Sequence, residues 1–422
     1  SGYLSQKMRF QNNIDITVCV LLLGLFPALY LPVLQAMLLI MIVVISLSFS
    51  QTDRSTFRGI LTFPNLAIAQ FLQFFLLNAI IFSVVEENKP HFRAIAIESW
   101  SVTFLCLVIL ALWLQSKNAE NIKQALIRWL PLGLTGAFLI STAVYFFGNQ
   151  GTRIEVFTPG PLTPPFWFLV LSMTSFTWFS EMGLWHKIWR VTLFFMAGIM
   201  VVYGGARLVM LAWVLCSVAL AIWIFVQTAP EKRLHVLLIT CLSIGICAGG
   251  VMLVDAFRGG LLVSRMMFFS KVDFTYGNIG TQILRVQMWA GALSIIVDNA
   301  LVGVGQVNER IALRQELEWD RWLRAHQTYL SYLIAGGIPA LISGLILQSP
   351  VLAFLSRARR STFFPAFLGL GVVVTMNCLT DSIFQSGVNV QVFMVATLIF
   401  LRASEADQPT LAPQKQVSSA AA

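Results

Sequence analysis

Apolar residues run along this chain in long blocks, separated by short clusters of charge, and the blocks are too long for strands. About 20 apolar residues in a helix cross the hydrocarbon core of a bilayer. The blocks predict about twelve such spans, near 14–30, 32–50, 60–84, 98–115, 129–147, 165–181, 188–203, 206–227, 234–254, 327–347, 363–380 and 388–402. Composition agrees. Hydrophobic residues make up 57% of the 422 and charged residues only 11%, against roughly 25% charged in a soluble domain, and the mean hydropathy is +0.78. A water-soluble enzyme is excluded, because that much apolar surface could not be hidden from water. The fold class expected is an all-α polytopic membrane protein.

Charge sets the orientation. With the N-terminus inside, the inner connections hold sixteen Lys and Arg, while the short outer ones hold Lys89, Arg93, Arg153 and, at a span edge, Arg207; cytoplasmic loops collect positive charge, so both termini are expected in the cytoplasm. The net charge of +9 is thereby explained without nucleic acid. One segment departs from the pattern: residues 255–326 fall outside yet contain eight basic residues, which a long translocated loop permits. The expected organisation is therefore a first set of spans (1–254), an outer loop domain with helices (255–326), the last spans (327–402) and a disordered inner tail (403–422). Within the loop, Ile283, Val286, Met288, Trp289, Ala292, Leu293 and Ile296 recur at helical spacing over 281–299, as in a helix lying on a membrane surface. Gly303-Val304-Gly305 breaks it, and a polar helix is predicted over 307–324.

Few residues are equipped for chemistry. The six cysteines lie in apolar runs, as small buried hydrophobes do, and no zinc-binding spacing occurs. Three of the four histidines, His91, His186 and His235, belong to loops. His326 lies where the outer loop enters the tenth span; its residue type suits proton transfer near neutral pH, and it equally suits anchoring a helix end at the interface. Arg207 sits between two apolar segments in Gly204-Gly205-Ala206-Arg207, a depth where a charge marks a ligand site or reaches out to lipid phosphate. Arg285 neighbours Gln282 and Trp289 on the predicted outer helix. The chain has no Asp-x-Asp pair, no His-Glu-x-x-His, no Gly-rich phosphate loop with Lys and no Gly-x-Ser-x-Gly elbow. Asp255 and Asp381 are the carboxylates nearest to spans, which disfavours an ion-coupled pump.

Arg285 with Trp289-Ala290-Gly291, then Asp298-Asn299-Ala300-Leu301-Val302-Gly303-Val304-Gly305, then His326-Gln327-Thr328-Tyr329-Leu330 with Gly336-Gly337, resemble the signature of the O-antigen ligase and polymerase family. Gly205-Ala206-Arg207 resembles its earlier Ser-Arg-Gly element, so the likeness runs from Gly204 to Ile346. Gln327 stands where the family has Asn, Ala300 where it has Pro, and Ala335 where an acidic residue is common. The resemblance implies transfer of a glycan from an undecaprenyl diphosphate carrier, on the periplasmic face of a bacterial inner membrane. Ligation of O-antigen to lipid A-core, polymerisation of O-antigen repeats and protein O-glycosylation share the signature. A single large outer loop suits ligation best. A flippase for the same lipid-linked glycan is the alternative of another class.

The chemistry so implied has simple needs. A lipid diphosphate leaves as an anion, and guanidinium groups match its oxygens, so Arg207 and Arg285 are expected to hold it. The acceptor hydroxyl loses a proton, for which His326 is the expected base. Arg258, Arg265, Arg324, Gln327 and Tyr329 are further expected substrate contacts, and the basic loop would attract an anionic lipid A-core. No metal or other cofactor is required. A retaining double displacement needs a carboxylate nucleophile; the acids of the polar helix have Arg310, Arg314, Arg321 and Arg324 as partners, so an inverting single displacement is expected.

Overall fold

The computed structural model describes residues 62–81, 90–147, 163–179, 182–204, 207–257, 259–260, 280–306, 308–318, 325–357, 361–380 and 387–407, except Val307. The first two expected spans fall outside these residues, as do 408–422. Every regular element described is a helix: α1 (Phe63–Ile81), α2 (Pro90–Ser116), α3 (Ala119–Phe147), α4 (Thr163–Thr174), α5 (Leu184–Gly204), α6 (Arg207–Gln227), α7 (Arg233–Phe257), α8 (Gly280–Asn299), α9 (Glu309–Glu316), α10 (Thr328–Arg357), α11 (Phe364–Thr380) and α12 (Gly387–Ser404). Six of the described helices are long and apolar enough to cross a membrane, while α4 and the apolar parts of α7 and α11 are shorter.

Their packing follows from large apolar side chains on faces that meet. Phe71 and Phe75 of α1, Trp100 of α2 and Tyr332 of α10 form one aromatic cluster, with Phe75 stacked on Trp100 at 5.4 Å between ring centroids. Helix α4 is apolar all round and buried from Phe166 onward, the condition in which such a helix is stable. It stops at Thr174, short of the expected span end near 181. The guanidinium of Arg190 (α5), itself 2% exposed, donates to Ser175 O at 2.7 Å just beyond that end, and to Ile127 O at 2.8 Å. A helix end needs such donors for its open carbonyls.

Helix α10 is not the single rod expected over 327–347. Gly336 and Gly337 have non-helical backbone (φ −151°, ψ 22° and φ 63°, ψ −156°), the second in a region that only glycine enters readily. The Tyr329 hydroxyl donates to Gln348 Oε1 at 3.2 Å across 19 residues. A straight helix would separate those two positions by about 28 Å. The Tyr332 ring also lies against Gly344, where an added Cβ would fall 2.1 Å from it. The chain therefore doubles back at the glycine pair: Thr328–Ala335 is a short arm, and the spanning helix starts at Ile338 with Pro339 in its first turn, where a missing N–H costs nothing.

A break inside a membrane protein leaves backbone groups that other protein groups must satisfy. The 300–305 turn does so here. Val304 N donates to Ile334 O (2.7 Å), Gly305 N to Ala335 O (2.9 Å), and Ile338 N to Ala300 O (2.8 Å). Asn78 of α1 adds a bond from Nδ2 to Ala335 O (3.0 Å) and accepts one from Gln306 N (2.9 Å), while Trp100 donates to Gln306 Oε1. Contact is close enough that a Cβ on Gly303 would sit 2.5 Å from Gly336 N, and one on Gly337 would sit 2.5 Å from Ala300 O. Around the arm, Ala292, Ile295, Leu313, Ala325 and Ile334 form a small second core. Helix α8 matches the segment predicted from its spacing. Helix α9 is shorter than the 307–324 expected; a turn with Glu318 in the left-handed region (φ 51°) follows it.

The opposite end of the bundle closes differently. A 3-10 turn, Glu405–Asp407, continues α12 beyond the expected boundary at 402. The Asp407 carboxylate accepts from Lys123 Nζ (2.9 Å), from Trp178 Nε1 (2.8 and 2.9 Å) and from Thr362. Arg402 pairs with Glu405 and donates to Lys117 O at 2.7 Å. Burial works against the charge on Asp407, yet hydrogen bonds from Thr362, Lys123 and Trp178, with the Lys123 charge, hold its carboxyl below the ordinary carboxylate value.

Candidate functional site

Three helix ends meet where α10 begins. Trp223 near the end of α6 stacks on Phe364 at the start of α11, with 6.3 Å between centroids, and the two helices pack along each other. Arg207 lies 16 residues before Trp223 and Thr380 lies 16 after Phe364, so each is about 24 Å from the stacked pair, at the same far end. Cys378, buried in the last turn of α11, is hydrogen-bonded to the Thr328 side chain. His326 is two residues from Thr328. A short connection through Pro230–Lys232 turns α6 back into α7, which brings the buried Asp255 to this end as well.

Helix α8, which carries Arg285, is tied to the same end. Trp289, one helical turn on, donates from Nε1 to Ala325 O at 3.0 Å, so α8 is tied to the residue before His326. Met288, Ala292 and Ile295 face inward from α8, and Arg285 and Trp289, both partly exposed, border that face. The fold thus gathers Arg207, Arg285 and His326 at one end of the bundle. Arg258, Arg265 and Arg324 lie outside the described residues.

His326 itself has left-handed backbone, φ 50°, which is uncommon for any residue but glycine and is a few-fold commoner for histidine than for most. Its neighbours hold it there. Ala325 is bonded on both sides, its carbonyl by Trp289 and its N–H by Glu309 Oε1 at 3.4 Å. Gln327 caps α10, accepting from Leu330 N through its side-chain oxygen, as an amide or hydroxyl at a helix start does. Tyr329 ties the arm to the spanning helix. Gln327 and Tyr329, expected to touch substrate, are thus engaged in holding the arm, and both stay partly exposed.

Glu309 was not singled out by the sequence reading. It is 1% exposed at the start of α9, and its Oε1 accepts from Ser331 Oγ at 2.8 Å as well as from Ala325 N. The expected arginine pairing of the polar-helix acids therefore does not describe this one fully: it is bonded into the arm. Its only sequence signal was an acidic residue in the first turn of a polar helix. Asn78 and Gln306 were missed for a similar reason, since an amide near a span end looks like any interfacial residue until its partner is known. Among the described residues no three His, Cys, Asp or Glu side chains gather to hold a metal ion.

No curated protein matches the chain. Residues 191–345 match the family model described as O-antigen ligase, a segment running from α5 into the spanning part of α10 and including Arg207, Arg285, Glu309, His326 and the paired glycine turns. The chain is thus a bundle of apolar helices, six of the described ones long and apolar enough to cross a membrane, in which residues 191–345 are similar to the O-antigen ligase family.

Proposed function

We propose that the protein is a glycosyltransferase of the inner membrane of a bacterium. It transfers O-antigen glycan from undecaprenyl diphosphate to a sugar hydroxyl of lipid A-core on the periplasmic face. The observation that carries this reading is the gathering of Arg207, Arg285 and His326 at one end of the bundle. Two guanidinium groups suit the oxygens of a diphosphate and keep their charge as it leaves. The imidazole of His326 takes the proton of the attacking hydroxyl. With the leaving group neutralised by arginine, no general acid is needed.

The attack is a single displacement. Glu309, the carboxylate placed beside His326, is buried and already accepts two hydrogen bonds through one oxygen, so it is not presented to an anomeric carbon. The hydroxyl attacks from the face opposite the diphosphate, and the new linkage has inverted configuration. The test is reconstitution of the protein with purified lipid-linked donor and lipid A-core. A covalent product whose NMR spectrum shows the inverted linkage supports the reading. Retention overturns the displacement, a product made from donor alone points to polymerisation, and donor translocation with no product points to a flippase.

A further inference from the structure

His326 lies one position from one, and five positions from the other, of two groups held by a single buried carboxylate. Glu309 Oε1 accepts from Ala325 N at 3.4 Å and from Ser331 Oγ at 2.8 Å. The first of these belongs to the residue just before the histidine, and the second lies on the buried face of the arm that the histidine opens. Between these two anchors the chain makes one unusual turn, at His326 with φ 50°. Left-handed backbone costs on the order of 1–3 kcal/mol for a residue with a Cβ and persists only where its surroundings impose it. Trp289 fixes the Ala325 carbonyl and Gln327 caps the helix that follows, so the turn is fixed on both sides.

A carboxylate in this position is well chosen. It sits in the first turn of α9, where the helix dipole favours negative charge, and it can accept from two donors at once through one oxygen. The small core of Ala292, Leu313, Ala325 and Ile334 keeps water from competing with those bonds.

We propose that Glu309 is a positioning residue for His326: by holding Ala325 N–H and Ser331 Oγ together, it sets the left-handed turn that aims the imidazole at the acceptor hydroxyl. This rests on the assignment of His326 as the base. Glu309 does not meet the substrate in this role. Its loss is felt in the chemical step and not in donor engagement.

The experiment is a double-mutant cycle on the full-length reconstituted protein, with Glu309→Ala, Glu309→Gln, Ser331→Ala, His326→Ala and Glu309→Ala/His326→Ala. It reads kcat and donor KM, together with the imidazole NMR signals of histidine-labelled protein; only four histidines are present. Glu309→Ala is expected to lower kcat about 10- to 100-fold, within the range one general base supplies, with donor KM unchanged and the His326 signal shifted. Glu309→Gln, which still has a carbonyl oxygen to accept both bonds, is expected to stay within a few-fold of the parent. Ser331→Ala is expected to fall between them, and serves in place of Glu309→Ala if that variant does not fold. On a His326→Ala background, Glu309→Ala is expected to cost little more, since a positioning group has nothing left to position.

An equal loss of kcat on both backgrounds, or a His326 signal unchanged by Glu309→Ala, overturns the proposal. Failure of the underlying base assignment looks different: His326→Ala then turns over like the parent, whatever Glu309→Ala does to the NMR signal.

Discussion

The two ends of the bundle are closed by different chemistry. At the end that holds Asp407, side chains clasp across the helix ends: one carboxylate gathers Lys123, Trp178 and Thr362. At the other end a helix is broken and the main chain itself does the joining, with Val304, Gly305 and Ile338 bonded across the glycine pair. Side-chain clasps can be lost one at a time at modest cost. Backbone pairing through Gly303 and Gly337 leaves no room for a single added methyl. The irregular end is also the one where Arg207, Arg285 and His326 gather. Left-handed backbone occurs at both poles, at Trp178 (φ 54°) as well as at His326 (φ 50°), so what sets the second end apart is the main-chain joining across a broken helix.

Substitutions at the two ends test that contrast. Arg207→Ala and Arg285→Ala are expected to abolish transfer through lost donor engagement, and Lys is expected to restore little at either position, because a point charge does not reproduce a two-pronged contact. Donor binding measured beside turnover checks this; a variant that binds and turns over like the parent ends the diphosphate assignment. Gly337→Ala is expected to destabilise the protein by about 3 kcal/mol or more, from disallowed backbone together with overlap on the Ala300 carbonyl. Thermal unfolding of the purified protein measures it, and an unshifted curve means that the 300–305 turn does not seat against the break.

The smallest effect belongs to the clasp. Asp407→Asn is expected to cost about 1–2 kcal/mol at neutral pH, with the transfer rate per folded molecule unchanged. The folded Asp407 carboxyl is held below its ordinary value, so its contribution is present above the ordinary carboxylate range and disappears as pH falls through the lowered value. Unfolding curves of parent and Asp407→Asn should therefore converge in acid. A constant gap at all pH values would show that the charge on Asp407 is not what stabilises this end.

Much of this arrangement was legible in the sequence, for reasons that also mark the limit. Hydropathy blocks report how many apolar residues follow one another, so the helical membrane class could be read, and the 3.6-residue spacing over 281–299 gave α8 nearly to the residue. Direction is invisible to the same signal. The run from 327 to 347 is continuously apolar whether the chain goes straight or doubles back, and only Gly336-Gly337-Ile338-Pro339 carries the difference, as a helix stop and restart. Alternating spans gave the expectation that His326, Arg207 and Arg285 share one side. Glu309 and Asn78 stayed hidden because their burial is created by the fold-back, which brings Ser331 and the Ala335 carbonyl to them.

The most direct test of the account is single-turnover transfer by His326→Ala, beside the parent, with donor binding read in the same preparation. Loss of the base is expected to slow transfer on the order of 10²- to 10⁴-fold while donor binding stays as in the parent. A His326→Ala protein that transfers at the parental rate would contradict the claim that this end of the bundle works through His326.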